Sequence, residues 1–435
     1  MTDQSPISGD GVVSLSKFRV ELSRSLSKRG KKLLEAADLP AQVAELTPLE
    51  AYFVVKELGS DTALPILQHF TDEQFRALID IDGWNADAPQ FEDIDAWLAV
   101  YSAQGPDSLA QAFLRLDPEI QTLYMRAALV VWDTKLDAIP EPAKKARRKD
   151  TPDGFFHVEA IDEIDWEVDP FALLDAIYAH DVGEGTRQLL AARAEQSSTL
   201  SEDALRFRNG RLEDWGFPRR DRAMRIFTAP PENEPPFERP AAHVFSSMPA
   251  LYAAPMTEGS LFMNAVGQID DENSLRAIQE ELVFLVNAAV VGFGGSIRDV
   301  DHVLAITERV RDTLSLGLAL RTESDDLKVA ANLLNQTRLE SLFRTGHFAL
   351  EELARDARAQ ANDPVVRAWL DRVETEADDY SLDRADRAFF KALLTFPATY
   401  AGFDRTRPER IQGLGTVDEL DAVRKRFTEL LQRIQ

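Results

Sequence analysis

The chain has 435 residues, of which 44% are hydrophobic, 28% charged and 9% aromatic, enough apolar material for more than one packed core and against a long disordered chain. Its 49 Lys and Arg against 74 Asp and Glu leave a formal net charge of -25, a field that repels phosphate backbones, so nucleic acid is not an expected partner. The lack of any cysteine removes disulfides, thiolate metal ligands and thiol nucleophiles.

Met1–Val12 is polar and acidic, without the charged-then-apolar order of a signal peptide. The most apolar stretch, Leu282–Phe293, is too short for a transmembrane segment. A cytoplasmic protein is therefore expected. Leu15–Ala37 spaces Leu15, Phe18, Leu22 and Leu26 among basic residues as an amphipathic helix does. Its basic face, with Lys28, Arg29, Lys31 and Lys32, reads as a solvated face docked on an acidic protein, with weak peripheral membrane contact as the competing reading.

From Leu39 to Trp84 short helices alternate with their own stop and start signals. Thr47 caps a helix with Pro48 at its first position, Gly59 closes it with Asp61 as the next cap, and Thr71 with Gln74 forms a capping box. Leu46, Leu49, Phe53, Leu58, Leu64, Leu67, Phe70, Phe75 and Leu78 supply the apolar stripes, at about 24 residues per helix pair. A weaker echo follows Asp117-Pro118. These hairpins loosely resemble the cytoplasmic helical domains of bacterial magnesium transporters and flagellar motor switch proteins.

Ile139–Gly154 joins proline to the basic run Lys144, Lys145, Arg147, Arg148 and Lys149, which reads as an exposed linker. Phe155–Val168 mixes β-favouring and acidic residues and holds a short strand at most. A second helical unit starts at Asp169-Pro170, and Pro230–Pro240 is too proline-rich for a regular element. The final helices run from about Pro364 to Thr375, Asp383 to Leu394 and Val417 to Ile434. The expected organisation is a helical-repeat domain over 14–138, a basic then acidic linker over 139–168, a helical unit over 169–229, a proline-rich connection over 230–273 and a helical domain over 274–435. The expected fold class is mainly α, with helical hairpins stacked as a superhelix or multi-helix array and at most a few short strands.

No two of the six histidines, His69, His157, His180, His243, His302 and His347, stand at the i, i+4 spacing of a helical zinc site. The glycine cluster Val290–Asp299 lacks the Gly-Lys-Ser/Thr of a phosphate loop and reads as a turn between helices, with Ser296 or Asp299 capping the second. Acid pairs such as Asp80 with Asp82, or Asp162 with Asp165, are expected by chance in so acidic a chain and stay unassigned. The densest polar-aromatic group is Arg206, Arg208, Arg211, Asp214 and Trp215. On a helix Arg208 and Arg211 share a face, where they either clamp an anionic ligand or pair with buried acids and lock the helix end stopped by Gly216 and Pro218.

The segments LRFRNGRLEDWGFP, LLDAIYAHD, ELVFLVNAAVV and LLNQTRLESLFRTGHFALEELA resemble a bacterial domain-of-unknown-function family, number 6178. With the amino-terminal hairpins the resemblance runs from about residue 30 to residue 405. It implies one full-length helical architecture and brings no reaction, ligand or partner. The leading expectation is an interaction scaffold or regulatory adaptor with a protein partner, without cofactor, metal or catalytic residue. The alternative is a small-ligand sensor or enzyme with a pocket around Arg206, Arg208, Arg211 and Asp214, to which Arg344 and His347 contribute.

Overall fold

The computed structural model describes residues 26–143, 145–161, 163–230, 237, 259–295, 297–322, 326–371, 382–404 and 406–434. The residues before Leu26, the proline-rich stretch beyond Pro230, Ser296 and the helix read through to Thr375 fall in whole or in part outside them. The chain forms two compact units, Ser23–Trp215 and one that takes in Gly216–Gln435.

The first unit is helical because its start signals are local. Thr47 and Thr71 each make a full capping box, with Glu50 and Gln74, and open the helices Pro48–Leu58 and Asp72–Asp82. The buried Gln74 amide also donates to the carbonyls of Val43 and Leu46, at 2.7 and 2.9 Å, which ties the box to the preceding Leu39–Ala44 helix. The Ser60–Leu67 helix is capped by Gly59, whose φ of 78° suits a residue without Cβ, whereas Asp61 lies one residue inside the first turn. A carboxylate there still meets the positive end of the helix. Phe53, Leu67, Phe75 and Leu78 all enter the core.

Phe91–Ser102, Pro106–Leu114 and Pro118–Ala128 follow, and the chain then runs into strand β3, Leu129–Asp133. Here β1 and β2 are the two-residue strands Trp84–Asn85 and Ala88–Pro89. β4, Arg148–Asp150, and β5, Phe156–Ala160, complete an antiparallel sheet in the order β3-β5-β4. Phe156, Val158 and Ala160 point inward, and His157 and Glu159 lie between them on the opposite face. Residues 139–168, read from composition as a linker, thus contain two strands. Lys144 lies outside the described residues, and three cations of the basic run are paired in place: Arg147 with Asp169, Arg148 with Glu159 across the sheet, and Lys149 with Asp175. Pro170–His180, Val182–Ala194 and Ser197–Asp214 then pack back onto the helices before the sheet.

In the second unit Glu272–Gly292 and Val300–Thr322 are separated by the glycine cluster. Gly294 takes a φ of 74° there, and the Asp299 carboxylate accepts from the His302 N–H at 3.0 Å. Val300–Thr322 lies along Leu339–Gln360, and Leu382–Leu394 and Val417–Ile434 close a core around Phe389, Phe390, Leu393 and Phe427. The two long helices meet at Gly317 and Gly346. A Cβ on Gly317 would stand 1.9 Å from the Leu342 carbonyl oxygen, and one on Gly346 would stand 2.2 Å from that of Thr313, so only glycine permits this approach.

Candidate functional site

Arg208 and Arg211 do share a face of the Ser197–Asp214 helix, and that face is occupied by protein. Arg211 forks onto Asp80, Nε to Oδ2 at 2.6 Å and Nη2 to Oδ1 at 2.9 Å, and reaches Asp117 Oδ2 at 2.6 Å. Burial opposes its charge, yet the bonds and fields of Asp80 and Asp117 outweigh this and raise its pKa. Arg208 donates to the Asp80 carbonyl at 2.8 Å and lies 4.9 Å over the Trp84 ring. Arg206 is turned elsewhere, to Asp203 at 2.9 Å. Asp214 is exposed at the helix end, and the Trp215 N–H caps the Arg211 carbonyl. Asp82, the other member of the acid pair, accepts from the Tyr52 hydroxyl at 2.7 Å and from Lys56 at 2.9 Å. Asp117 makes no side-chain cap for its own helix; its carboxylate serves Arg211 instead.

The second unit holds a different arrangement, a cavity of about 30 Å³. Val300–Thr322 contributes Arg309, Thr313 and Leu316 at i, i+4 and i+7, and Leu339–Gln360 contributes Phe343, Gly346, His347 and Leu350 at i, i+3, i+4 and i+7. These are the spacings that put side chains on one helix face. Phe293, Ala398–Tyr400 and Gln412–Leu414 close it. Because the helices touch at Gly317 and Gly346, one turn on from Thr313 and beside His347, their facing side chains are drawn close together.

Arg309 is only 9% exposed. Its guanidinium makes no hydrogen bond or ion pair with any described residue, and burial alone pulls its pKa down to about 9, which leaves it a cation at neutral pH. Its guanidinium carbon lies 3.8 Å from the centroid of the Phe293 ring. Arg311, two residues on, contrasts with it by bonding to Asp312 at 2.7 Å and approaching Glu308. His347 stacks on Phe343 and meets Phe227 edge-on. Burial, then the charges of Arg309 and Arg358, draws its pKa down to about 3, and its Nε2 is buried without a partner. Arg344, grouped with His347 in the sequence reading, pairs with Glu340 one turn back and does not line the cavity.

The sequence reading did not single out Arg309. The signal for it lies in the spacing Ile306, Arg309, Thr313 and Leu316, which sets a cation on the apolar stripe of its helix. The neighbouring Glu308, Arg311 and Asp312 disguise it as part of a charged run.

Of the basic amino-terminal face, Lys28, Arg29, Lys31 and Lys32 are exposed and Arg29 pairs with Glu50 at 2.9 Å, while Leu26 and Leu33 are buried within their unit. No helix among the described residues is long and apolar enough to cross a membrane.

These features define a mainly α protein with a buried cation, unpaired among the described residues, beside a small cavity. The chain belongs to a family of unknown function, DUF6178, whose model matches residues 13–433. No curated protein and no solved structure matches it, so the likeness of the amino-terminal hairpins to magnesium-transporter and motor-switch domains gains no support.

Proposed function

We propose that this chain is a cytoplasmic regulatory binding protein, a helical scaffold whose carboxy-terminal unit takes up a small anionic ligand. The observation that carries the reading is Arg309, a buried cation beside a cavity with no carboxylate paired to it among the described residues. A charge removed from water without a partner costs several kcal/mol, by an order-of-magnitude argument, and a ligand that brings the opposite charge relieves that cost. His347, neutral and held between aromatic rings, suits hydrogen bonding better than proton transfer, since a base with a pKa of about 3 is poorly matched to neutral pH. The acidic, cysteine-free sequence supports the cytoplasmic assignment.

The scaffold half of the reading draws on Leu136 and Phe155, which are 75% and 48% exposed at one end of the small sheet. Both side chains stand open to contact with a protein partner.

The test is thermal unfolding of the full chain against a panel of small anions, because a ligand that binds only the folded state raises Tm. At least one anion is expected to raise Tm by several degrees in the wild type and to leave Arg309→Met unmoved. A flat response across the panel would contradict the reading.

A further inference from the structure

We infer that the anion taken by this cavity is a short-chain monocarboxylate, held by a two-pronged pair between its carboxylate and the guanidinium of Arg309. The inference rests on the small-anion reading above and narrows it.

Charge is the first argument. Arg309 brings one positive charge that no described residue pairs. Arg358, the other cation near His347, is bonded to Glu351 and to the Thr395 carbonyl, and Arg311 is bonded to Asp312. A monoanion cancels this single charge. A phosphate, with about 1.5 to 2 negative charges at neutral pH, leaves an excess charge among apolar walls.

Shape is the second. The guanidinium carbon lies 3.8 Å from the centroid of the Phe293 ring, and a planar fork of N–H donors matches the two oxygens of a carboxylate better than the tetrahedral oxygens of phosphate or sulfate.

The walls supply the third. Leu316, Leu350 and Leu414 line the cavity and offer a hydrocarbon tail a surface that a purely inorganic anion does not use. At about 30 Å³ the space exceeds the roughly 10–15 Å³ that one water needs, so it suits a compact acid better than a bulky one.

The test is isothermal titration calorimetry of the full chain with acetate, propanoate, butanoate and octanoate, with phosphate and sulfate, and with a tripeptide bearing a free carboxyl terminus, all at one pH and ionic strength. Acetate to butanoate are expected to bind, and octanoate, the inorganic anions and the peptide to be silent. Arg309→Lys, which keeps the charge and loses the fork, is expected to weaken binding at least tenfold, and Arg309→Met to abolish it, both with wild-type circular dichroism. Binding of phosphate or sulfate in place of the acids overturns the carboxylate assignment and leaves the small-anion reading standing. Binding of octanoate or the peptide as tight as butanoate overturns the size argument and with it the assignment to a short free acid. Silence from every ligand overturns both readings, and unchanged binding in Arg309→Met overturns this site.

Discussion

Three arginines of this chain meet burial in three ways, and the differences are what the proposed function rests on. Arg211 is held by two carboxylates, Arg311 by Asp312 beside it, and Arg309 by none among the described residues. Removing Arg211 leaves Asp80, 2% exposed, as a buried acid without its counter-charge. Arg211→Ala is therefore expected to lower the stability of the amino-terminal unit by about 3–5 kcal/mol, measured by urea unfolding. Asp80→Asn combined with Arg211→Met is expected to recover much of that loss, and a full loss in the double variant would contradict the argument. The sequence makes the shared face of Arg208 and Arg211 legible, because i, i+3 spacing is local. It does not reveal that Asp80, 131 residues away, is their partner, so the sequence favours the helix lock over the ligand clamp without naming the acid that makes it.

Helix starts were readable for the same reason of locality. Thr47, Thr71 and Asp169 act on N–H groups two or three residues along, and all three cap as their sequence context implies. Asp61 falls two residues past the cap position, which Gly59 holds at a φ of 78°. The sheet in 129–160 is harder to see: β4 consists of Arg148, Lys149 and Asp150, whose composition suggests a loop, and its ion pairs come from residues farther along the chain. Helix contact carries the clearest consequence. Gly317→Ala sets a methyl against the Leu342 carbonyl, and overpacking of this kind costs about 1–3 kcal/mol. The variant is expected to lose that stability in chemical denaturation and to lose the anion-dependent rise in Tm as the two helices part. Gly210→Ala, in a helix with open space around the added carbon, is the control and is expected to gain up to about 1 kcal/mol. Equal behaviour of the two variants would mean that the helix crossing does not shape the cavity.

At the scale of the whole molecule, composition conveys the helical class, and the family match over residues 13–433 places both units in a single family architecture. Composition cannot convey the cavity, since its walls come from residues between 293 and 414 that only folding brings together. Arg309 belongs to this scale because its free energy is set by everything packed around it. The Phe293 contact returns about 0.5–2 kcal/mol, less than the several kcal/mol, in order of magnitude, of removing a lone charge from water. On this account the free protein carries an unfavourable residue that the ligand makes favourable. The most direct test is the stability of the carboxy-terminal unit in ligand-free wild type and Arg309→Met, followed by urea unfolding. The variant is expected to be at least as stable as the wild type, by up to about 4 kcal/mol; a loss of several kcal/mol would show that Arg309 supports the fold and is not held there for a ligand.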